Sequence, residues 1–296
     1  MWKSTILPDE DGKRYGTRIR QYCVYIAAAA AAFAKGIGAG LSQGTEIQLG
    51  SGQAEQTGIL GAGEVEQIPI GTSFLNGQGV FSSGLAFVCA ASKGISPAEA
   101  ADRLSVFLPG EDLLFSKIEK NSGYLNFHPS PRWYTESASF LLRSASFSAW
   151  HFTEEDFGFF CTSSPAVAEL QKSFVRLCSI LRNCQAEGML SLPCPDCALA
   201  LLDKPQELAL IFSLARLADA KSQSLLPILL ETARAFCFFY DSRRIWSPQP
   251  HLTAARAALC LTCAAWIQQG LQQTGLWPEK KFEKVLFSHF DIKDQG

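Results

Sequence analysis

Two closely spaced cysteines, Cys194 and Cys197, are candidate metal ligands in this sequence. The run C-P-D-C from Cys194 to Cys197 has the form of a turn that points two thiolates at one centre, which is half of a tetrahedral zinc site. The other nearby cysteines, Cys178 and Cys184, complete no familiar finger spacing, and no thioredoxin-like strand–helix–strand pattern surrounds the run. We therefore expect no cofactor, with zinc at Cys194 and Cys197 as the alternative.

The sequence gives little sign of a nucleotide or DNA site. The Gly-rich stretch 36–63 contains neither G-x-G-x-x-G nor G-x-x-x-x-G-K, so a phosphate-cradling loop has no support there. The formal net charge is −2, whereas a dedicated nucleic-acid-binding domain usually carries a basic excess. Any nucleic-acid contact must therefore come from a local basic patch, and we expect no DNA partner.

Cysteine usage and hydropathy predict a cytoplasmic protein. Several cysteines lie within apolar helical stretches, where a reduced thiol behaves as a small hydrophobic group. The Ala-rich run from Tyr22 to Phe33 follows basic residues as a signal peptide would, but Lys35 ends it short of the ~20 residues that span a bilayer. We expect this run to be a helix of a soluble domain and expect no membrane partner.

The amino-terminal part, residues 1–133, is predicted to be an α+β domain with helices on a small antiparallel sheet. Helices are expected over Phe81–Lys93 and from Ser96, which begins a capping box, to about Phe107. Strands are expected over 64–70, Phe115–Lys120 and Tyr124–His128, and the last two are joined by an N-S-G turn. The Gly-rich stretch 36–63 is predicted to be a loop.

Residues 165–283 are predicted to form an all-α helical bundle. Apolar residues keep helical spacing in segments that end or begin near proline and glycine. The predicted helices are 165–182, Pro205–Lys221, Leu225–Arg244 and His251–Leu276. Between the two domains, residues 134–164 lack a clear period and are predicted to be a linker, with a short helix or strand around Phe140–Arg143. Residues 284–296 are assigned to a tail.

Three segments of the bundle follow one family pattern in the right order. Val175–Arg182 (VRLCSILR) is close to A-R-I-x-S-I-L-R, and Ala233–Ile245 is close to A-x-x-F-x-x-F-Y-N-x-x-R-V. Residues 255–279 match a final helix followed by an L-G-x-x-x-P-E turn. Through these motifs, Pro165–Phe282 resembles the DALR anticodon-binding domain of arginyl-tRNA synthetases.

The amino-terminal domain resembles the additional domain that precedes the catalytic core in the same enzymes. Ile95–Ala101 (ISPAEAA) is similar to K-S-P-R-E-I-A, and Gly123–Phe127 (GYLNF) to G-[FY]-[IL]-N-F. The polar D-Y-x-S-N motif of the family is replaced by Val80–Gly84 (VFSSG). The resemblance therefore does not extend to the tRNA D-loop contact that the family makes through this domain.

The region between the two domains decides the expectation about catalysis. The family binds ATP through H-x-G-H and K-M-S-K motifs on a large nucleotide-binding fold, whereas only residues 134–164 separate the two domains here. The four histidines form no H-x-G-H motif. We therefore predict that the chain is not an enzyme.

The resemblance implies a set of tRNA-binding residues. Tyr240 and Arg244 stand four residues apart and share a helix face, so a ring could stack an unpaired base while a guanidinium binds a phosphate. The alternative is that Tyr240 lies at the edge of the core and that Arg243 and Arg244 complement the helix carboxyl terminus. Asp241 replaces an asparagine of the family and adds negative charge. The full candidate set is Tyr240, Arg243, Arg244, Arg182, Arg256 and Trp277; Arg182 and Arg256 could instead form structural salt bridges.

The predicted function is a non-catalytic tRNA-binding protein that contacts the anticodon region through the helical bundle. Its expected partners are tRNA, with arginine tRNA as one candidate, and a tRNA-modifying enzyme or a synthetase. Two alternatives stay open: a protein-interaction module that kept the fold and lost tRNA binding, and an accessory subunit acting in trans in arginyl-tRNA aminoacylation.

Overall fold

The computed structural model describes residues 70–75, 78–105, 115–145, 164–190, 194–220 and 224–277. The chain divides into two compact units between Ser130 and Pro131. The run Tyr22–Phe33, the Gly-rich stretch 36–63, most of the predicted strand at 64–70, residues 146–163 of the predicted linker and the tail 284–296 lie outside the described residues. No described helix is long and apolar enough to span a bilayer.

The described part of the first unit is an antiparallel sheet with two helices, as the sequence predicts. The sheet has four strands in the order β1-β2-β4-β3. In chain order, the elements are β1 (Ile70–Leu75), β2 (Gln78–Ser83), α1 (Leu85–Lys93), α2 (Pro97–Ser105), β3 (Phe115–Asn121) and β4 (Tyr124–Pro129).

The β3–β4 hairpin confirms the strands expected from sequence. Ser122 and Gly123 both have positive φ, at 49° and 90°, as a tight two-residue turn requires. A Cβ atom at position 123 would lie 2.6 Å from the Cβ atom of Pro97, so this position needs glycine. Leu125 and Phe127 point inward from β4 and are fully buried.

The helix predicted over Phe81–Lys93 is shorter in the structure. Residues up to Ser83 belong to β2, in which Phe81 pairs with Phe127 of β4, and α1 begins at Leu85. The spacing of Phe81, Leu85 and Cys89 fits one helix face, but Phe81 is buried in the sheet instead. Pairing with neighbouring strands outweighed local periodicity here, and Gly84 separates the two elements.

The second unit is helical, and four long predicted helices are confirmed with small shifts at their ends. In chain order, the helices are α3 (Pro131–Arg143), α4 (Pro165–Ala186), α5 (Asp196–Leu199), α6 (Pro205–Ala218), α7 (Leu225–Ser242) and α8 (Pro250–Gln273). Proline occupies the first turn of α4, α6 and α8, where its missing N–H costs nothing.

Helix α8 is the centre of this unit. It packs against each of the other helices named for the unit, and small residues let them approach it closely. Gly270 faces Leu229 of α7 so closely that an added Cβ atom would lie 2.9 Å from Leu229 Cδ1. The Ala- and Cys-rich composition of α8 therefore reflects burial on nearly all sides.

Helix α3 differs from the linker expected at 134–164. Trp133, Ala138 and Leu141 are buried in the second unit, and the Trp133 ring lies 6.0 Å from the ring of Phe212. Trp266 Nε1 donates a hydrogen bond of 3.2 Å to the Leu141 carbonyl oxygen. Serines occupy several inward positions of α3, which weakens the apolar pattern in the sequence and explains why the helix was largely missed.

Candidate functional site

An open cleft of about 800 Å³ lies where the carboxyl-terminal part of α4 faces the end of α7 and the segment that follows it. Its lining combines aromatic, cationic, acidic and amide side chains with a few apolar ones. The residues are Ile180, Asn183, Cys184, Glu187, Met189, Tyr240, Asp241, Arg243, Arg244, Ile245 and Trp246. Three of the predicted tRNA-binding residues, Tyr240, Arg243 and Arg244, therefore line one cleft, which we call the Tyr240 cleft.

Tyr240 lies at the edge of the core with 37% of its surface exposed. The buried ring of Phe236, one helical turn earlier, stacks against it with centroids 6.0 Å apart and an interplanar angle of 28°. The Arg176 guanidinium of α4 lies over the Tyr240 ring, 5.5 Å from its centroid. The ring is thus held from two neighbouring positions while part of it still faces the cleft.

The end of α7 directs two arginines differently. Arg243 has an extended backbone, and its Nε and Nη2 both donate to Gln206 Oε1 at 3.3 Å, so its side chain is turned towards the start of α6. Arg244 is exposed, and its carbonyl oxygen accepts a hydrogen bond of 2.8 Å from Arg256 Nη1. Trp246 follows, and 59% of its surface is exposed.

Arg256 is buried, whereas an arginine that contacts RNA has to be exposed. It forms a buried ion pair with Glu207, in which Nε lies 2.7 Å from Oε1, and Glu207 is itself fully buried. Glu207 Oε2 accepts from the Lys204 backbone N–H at 3.0 Å. This geometry fits the structural salt bridge that was the alternative for Arg256, because the guanidinium positions the loop after α7 and does not line the cleft.

Arg182 and Trp277 are not brought to the Tyr240 cleft. Arg182 is half-buried on α4 and is not among the lining residues. Trp277 packs edge-on against the buried ring of Phe174, with centroids 5.5 Å apart. The structure places both residues outside the lining of the cleft, and their contact with tRNA stays a prediction.

Two residues of the cleft region were not singled out from the sequence. Trp246 lies beyond the end of α7, in a segment whose exposure no periodicity reveals. Arg176 belongs to α4, and its approach to Tyr240 depends on how α4 packs against α7. A tryptophan two residues after paired arginines was the one signal that the sequence offered for Trp246.

The described cysteines do not form a metal centre. No group of three or more His, Cys, Asp or Glu side chains is arranged to hold an ion within the described residues, and the Cys197 side chain lies outside them. Cys194 is buried. Burial also raises the pKa of the Cys184, Cys260 and Cys263 thiols, so these remain protonated and are poor ligands.

The cleft can hold an unpaired base and its phosphates. Exposed aromatic rings stack on any base, and guanidinium groups bind phosphate oxygens, which is how single-stranded nucleic-acid segments are commonly bound. Trp246 and Tyr240 supply the rings, and Arg244 supplies an exposed cation.

Comparisons with known proteins match the region of the chain that contains this cleft. Residues 170–281 match the family described as the DALR anticodon binding domain. An arginine–tRNA ligase of Salinibacter ruber is 34% identical over 115 residues, which is 36% of this chain and 20% of the ligase. One of a Polaromonas species is 27% identical over 170 residues, or 54% of this chain and 30% of the ligase.

The matched region therefore spans less than a third of either ligase. No solved structure matches the chain significantly. The match at 170–281 takes in α4 to α8 and every lining residue of the Tyr240 cleft. Residues 170–281 are therefore similar to the DALR anticodon binding domain, and part of the chain is similar to arginine–tRNA ligases.

Proposed function

We propose that this protein binds tRNA without catalysing aminoacylation, and that the Tyr240 cleft contacts the anticodon region. The observation that carries the proposal is the position of the cleft inside the matched domain, with Tyr240, Arg244 and Trp246 all facing it. An anticodon loop offers unpaired bases next to phosphates, which is the chemistry that these side chains suit.

The absence of catalysis is proposed from the sequence. The chain contains no H-x-G-H motif, and only residues 134–164 lie between the two predicted domains, where the family has a nucleotide-binding fold. In this proposal, residues 165–283 bind tRNA in the cytoplasm, and residues 1–133 are their companion domain. The bound tRNA, with arginine tRNA as one candidate, is presented to a tRNA-modifying enzyme or a synthetase.

The first test is binding of total tRNA by the full chain in a filter assay at low and at physiological salt. We expect binding at low salt that weakens only moderately as salt rises, because a chain of net charge −2 offers only a local cluster of cations. A folded protein that retains no tRNA at low salt would contradict the proposal.

Variants then locate the site. Tyr240→Ala combined with Arg244→Ala should weaken tRNA binding at least about tenfold, since one stacking ring and one phosphate contact are lost. Arg132→Ala is the matched control, because Arg132 is exposed at the start of α3 and pairs only locally with Glu136. Equal loss in both variants would place the tRNA on another surface.

Aminoacylation separates binding from catalysis. The chain alone should not charge tRNA with arginine, and charging above background would overturn the non-catalytic part of the proposal. Adding the chain to an arginyl-tRNA synthetase tests the accessory-subunit alternative, which predicts a higher charging rate.

A protein-interaction module is the second candidate, and one observation favours it. Phe238 on α7 has 56% of its surface exposed, and the exposed Trp246 follows the same helix. Large exposed aromatic side chains are enriched in protein interfaces. Phe238→Ser should leave tRNA binding unchanged if Phe238 serves only a protein partner.

A further inference from the structure

The side chain that covers Tyr240 is held there by an acid on the same helix as Tyr240. Asp241 Oδ1 lies 3.7 Å from Arg176 Nη1, and the Arg176 guanidinium lies 5.5 Å from the centroid of the Tyr240 ring. The Arg176 guanidinium therefore lies next to both the Asp241 carboxylate and the Tyr240 ring. Asp241 also lines the Tyr240 cleft.

We infer that Asp241 and Arg176 form a latch that lowers the affinity of the Tyr240 cleft for RNA. In the free protein, Arg176 takes the place of a base over the Tyr240 ring. When RNA enters, a base replaces the guanidinium on the ring, and a phosphate replaces Asp241 as the partner of Arg176. This inference rests on the proposed function and adds which residues set the affinity of the site.

The strengths of the contacts allow this exchange. Both side chains of the ion pair are largely exposed, 51% for Arg176 and 67% for Asp241. Exposed ion pairs and exposed cation–π contacts are individually weak, so a stacked base together with a phosphate can displace them. The latch therefore reduces affinity without blocking the site.

Charge also favours RNA as the occupant of the opened latch. Arg243 and Arg244 line the Tyr240 cleft, and Arg176, which lines a separate groove between α4 and α7, lies over the Tyr240 ring beside them. A polyanion gains from all three cations, whereas a neutral ligand gains only the ring. The latch therefore acts most strongly on a ligand that carries both a base and a phosphate.

The test is the tRNA affinity of full-length Asp241→Asn, measured by filter binding at low salt. We expect affinity to rise about three- to tenfold, because an ion pair and the cation–π contact that it supports no longer compete with RNA. The slope of log K against log salt should change by less than about 0.7, since Arg176 contacts one phosphate in the bound state of both proteins.

Asp102→Asn is the matched control. Asp102 is equally exposed, at 67%, and also forms an ion pair, with Lys120, but it lies in the first unit. Its removal changes the net charge by the same amount, so a gain in both variants would show a general charge effect and would overturn the latch.

The effect of Asp241 must pass through Arg176. In an Arg176→Ala background, Asp241→Asn should change affinity by less than about twofold, because the latch is already absent. A full gain in that background would overturn the inference, as would unchanged affinity of Asp241→Asn in the wild-type background. If the wild type binds no tRNA, the proposed function fails first; a wild type that binds, with an unresponsive Asp241, leaves that function standing.

Discussion

Trp246 is the more exposed of the two aromatic side chains that line the Tyr240 cleft. A base stacked on an aromatic side chain contributes about 1–3 kcal/mol, so Trp246→Ala should weaken tRNA binding at least about fivefold. Trp246→Phe keeps a ring and should recover most of the affinity. Because the side chain is 59% exposed, the thermal midpoint should hardly move, and an affinity loss that tracked a drop in this midpoint would instead indicate a packing role.

Arg256, unlike Trp246, is buried. Its ion pair with the fully buried Glu207 lies beneath the loop whose Arg244 carbonyl it also binds. Arg256→Ala leaves a buried carboxylate without its partner, so the free energy of unfolding should fall by about 3–5 kcal/mol. Urea denaturation followed by circular dichroism measures this change.

Arg132 is an exposed arginine and serves as the control for Arg256. Arg132→Ala removes an exposed i,i+4 pair and should cost less than about 0.5 kcal/mol in the same measurement. A change of less than about 1 kcal/mol for Arg256→Ala would show that the buried pair contributes little beyond its own desolvation.

The candidate residues show what the sequence could and could not predict about the site. The family pattern places Tyr240 and Arg244 near the end of α7, and the structure brings both to one cleft. The predicted shared helix face was wrong, because α7 ends at Ser242 and Arg243 has an extended backbone. The roles of Arg176 and Arg256 depend on which helix packs against which, since each contacts a residue far away in the chain. No local pattern contains that information.

At the scale of elements, the contact between α7 and α8 depends on one glycine. Gly270→Ala should destabilise the protein by about 1–3 kcal/mol, because the added methyl group would overlap the fully buried Leu229. The overlap outweighs the gain of about 1 kcal/mol that alanine has over glycine in a helix interior, so the net effect is destabilising. Chemical denaturation of the purified variant measures the difference.

A second substitution separates crowding from other effects at this position. In a Leu229→Ala background, Gly270→Ala should become neutral or stabilising, since the overlap is gone and only helix propensity remains. An equal loss in both backgrounds would mean that Leu229 is not the cause.

The elements themselves were predictable where periodicity and end signals agree. Helices α4, α6, α7 and α8 have long apolar stripes, and prolines mark three of their starts. Helix α3 and strand β2 were misjudged for opposite reasons. Buried serines in α3 hide an inward face, whereas Phe81 in β2 continues a helical spacing although it pairs within a sheet. In both cases, tertiary contacts outweighed the local pattern.

At the scale of the whole molecule, the charge balance constrains how the protein can bind tRNA. With a formal net charge of −2, general attraction to a polyanion is weak, so affinity must come from a few cations and from stacking. Arg243 and Arg244 at the Tyr240 cleft, together with Arg176 beside it, are the cations that the proposed site offers. This arrangement should give a mild salt dependence, unlike that of a basic nucleic-acid-binding domain.

The salt dependence of tRNA binding therefore tests the size of the site. Each phosphate neutralised on a single strand contributes about −0.7 to the slope of log K against log salt, so three guanidinium groups predict a slope near −2. Fluorescence anisotropy with labelled tRNA between low and physiological salt measures it. Replacing Arg243 and Arg244 together by alanine should bring the slope close to −0.7. A wild-type slope steeper than about −5 would mean that many phosphates are bound elsewhere on the chain, because the cations at this cleft could not account for it.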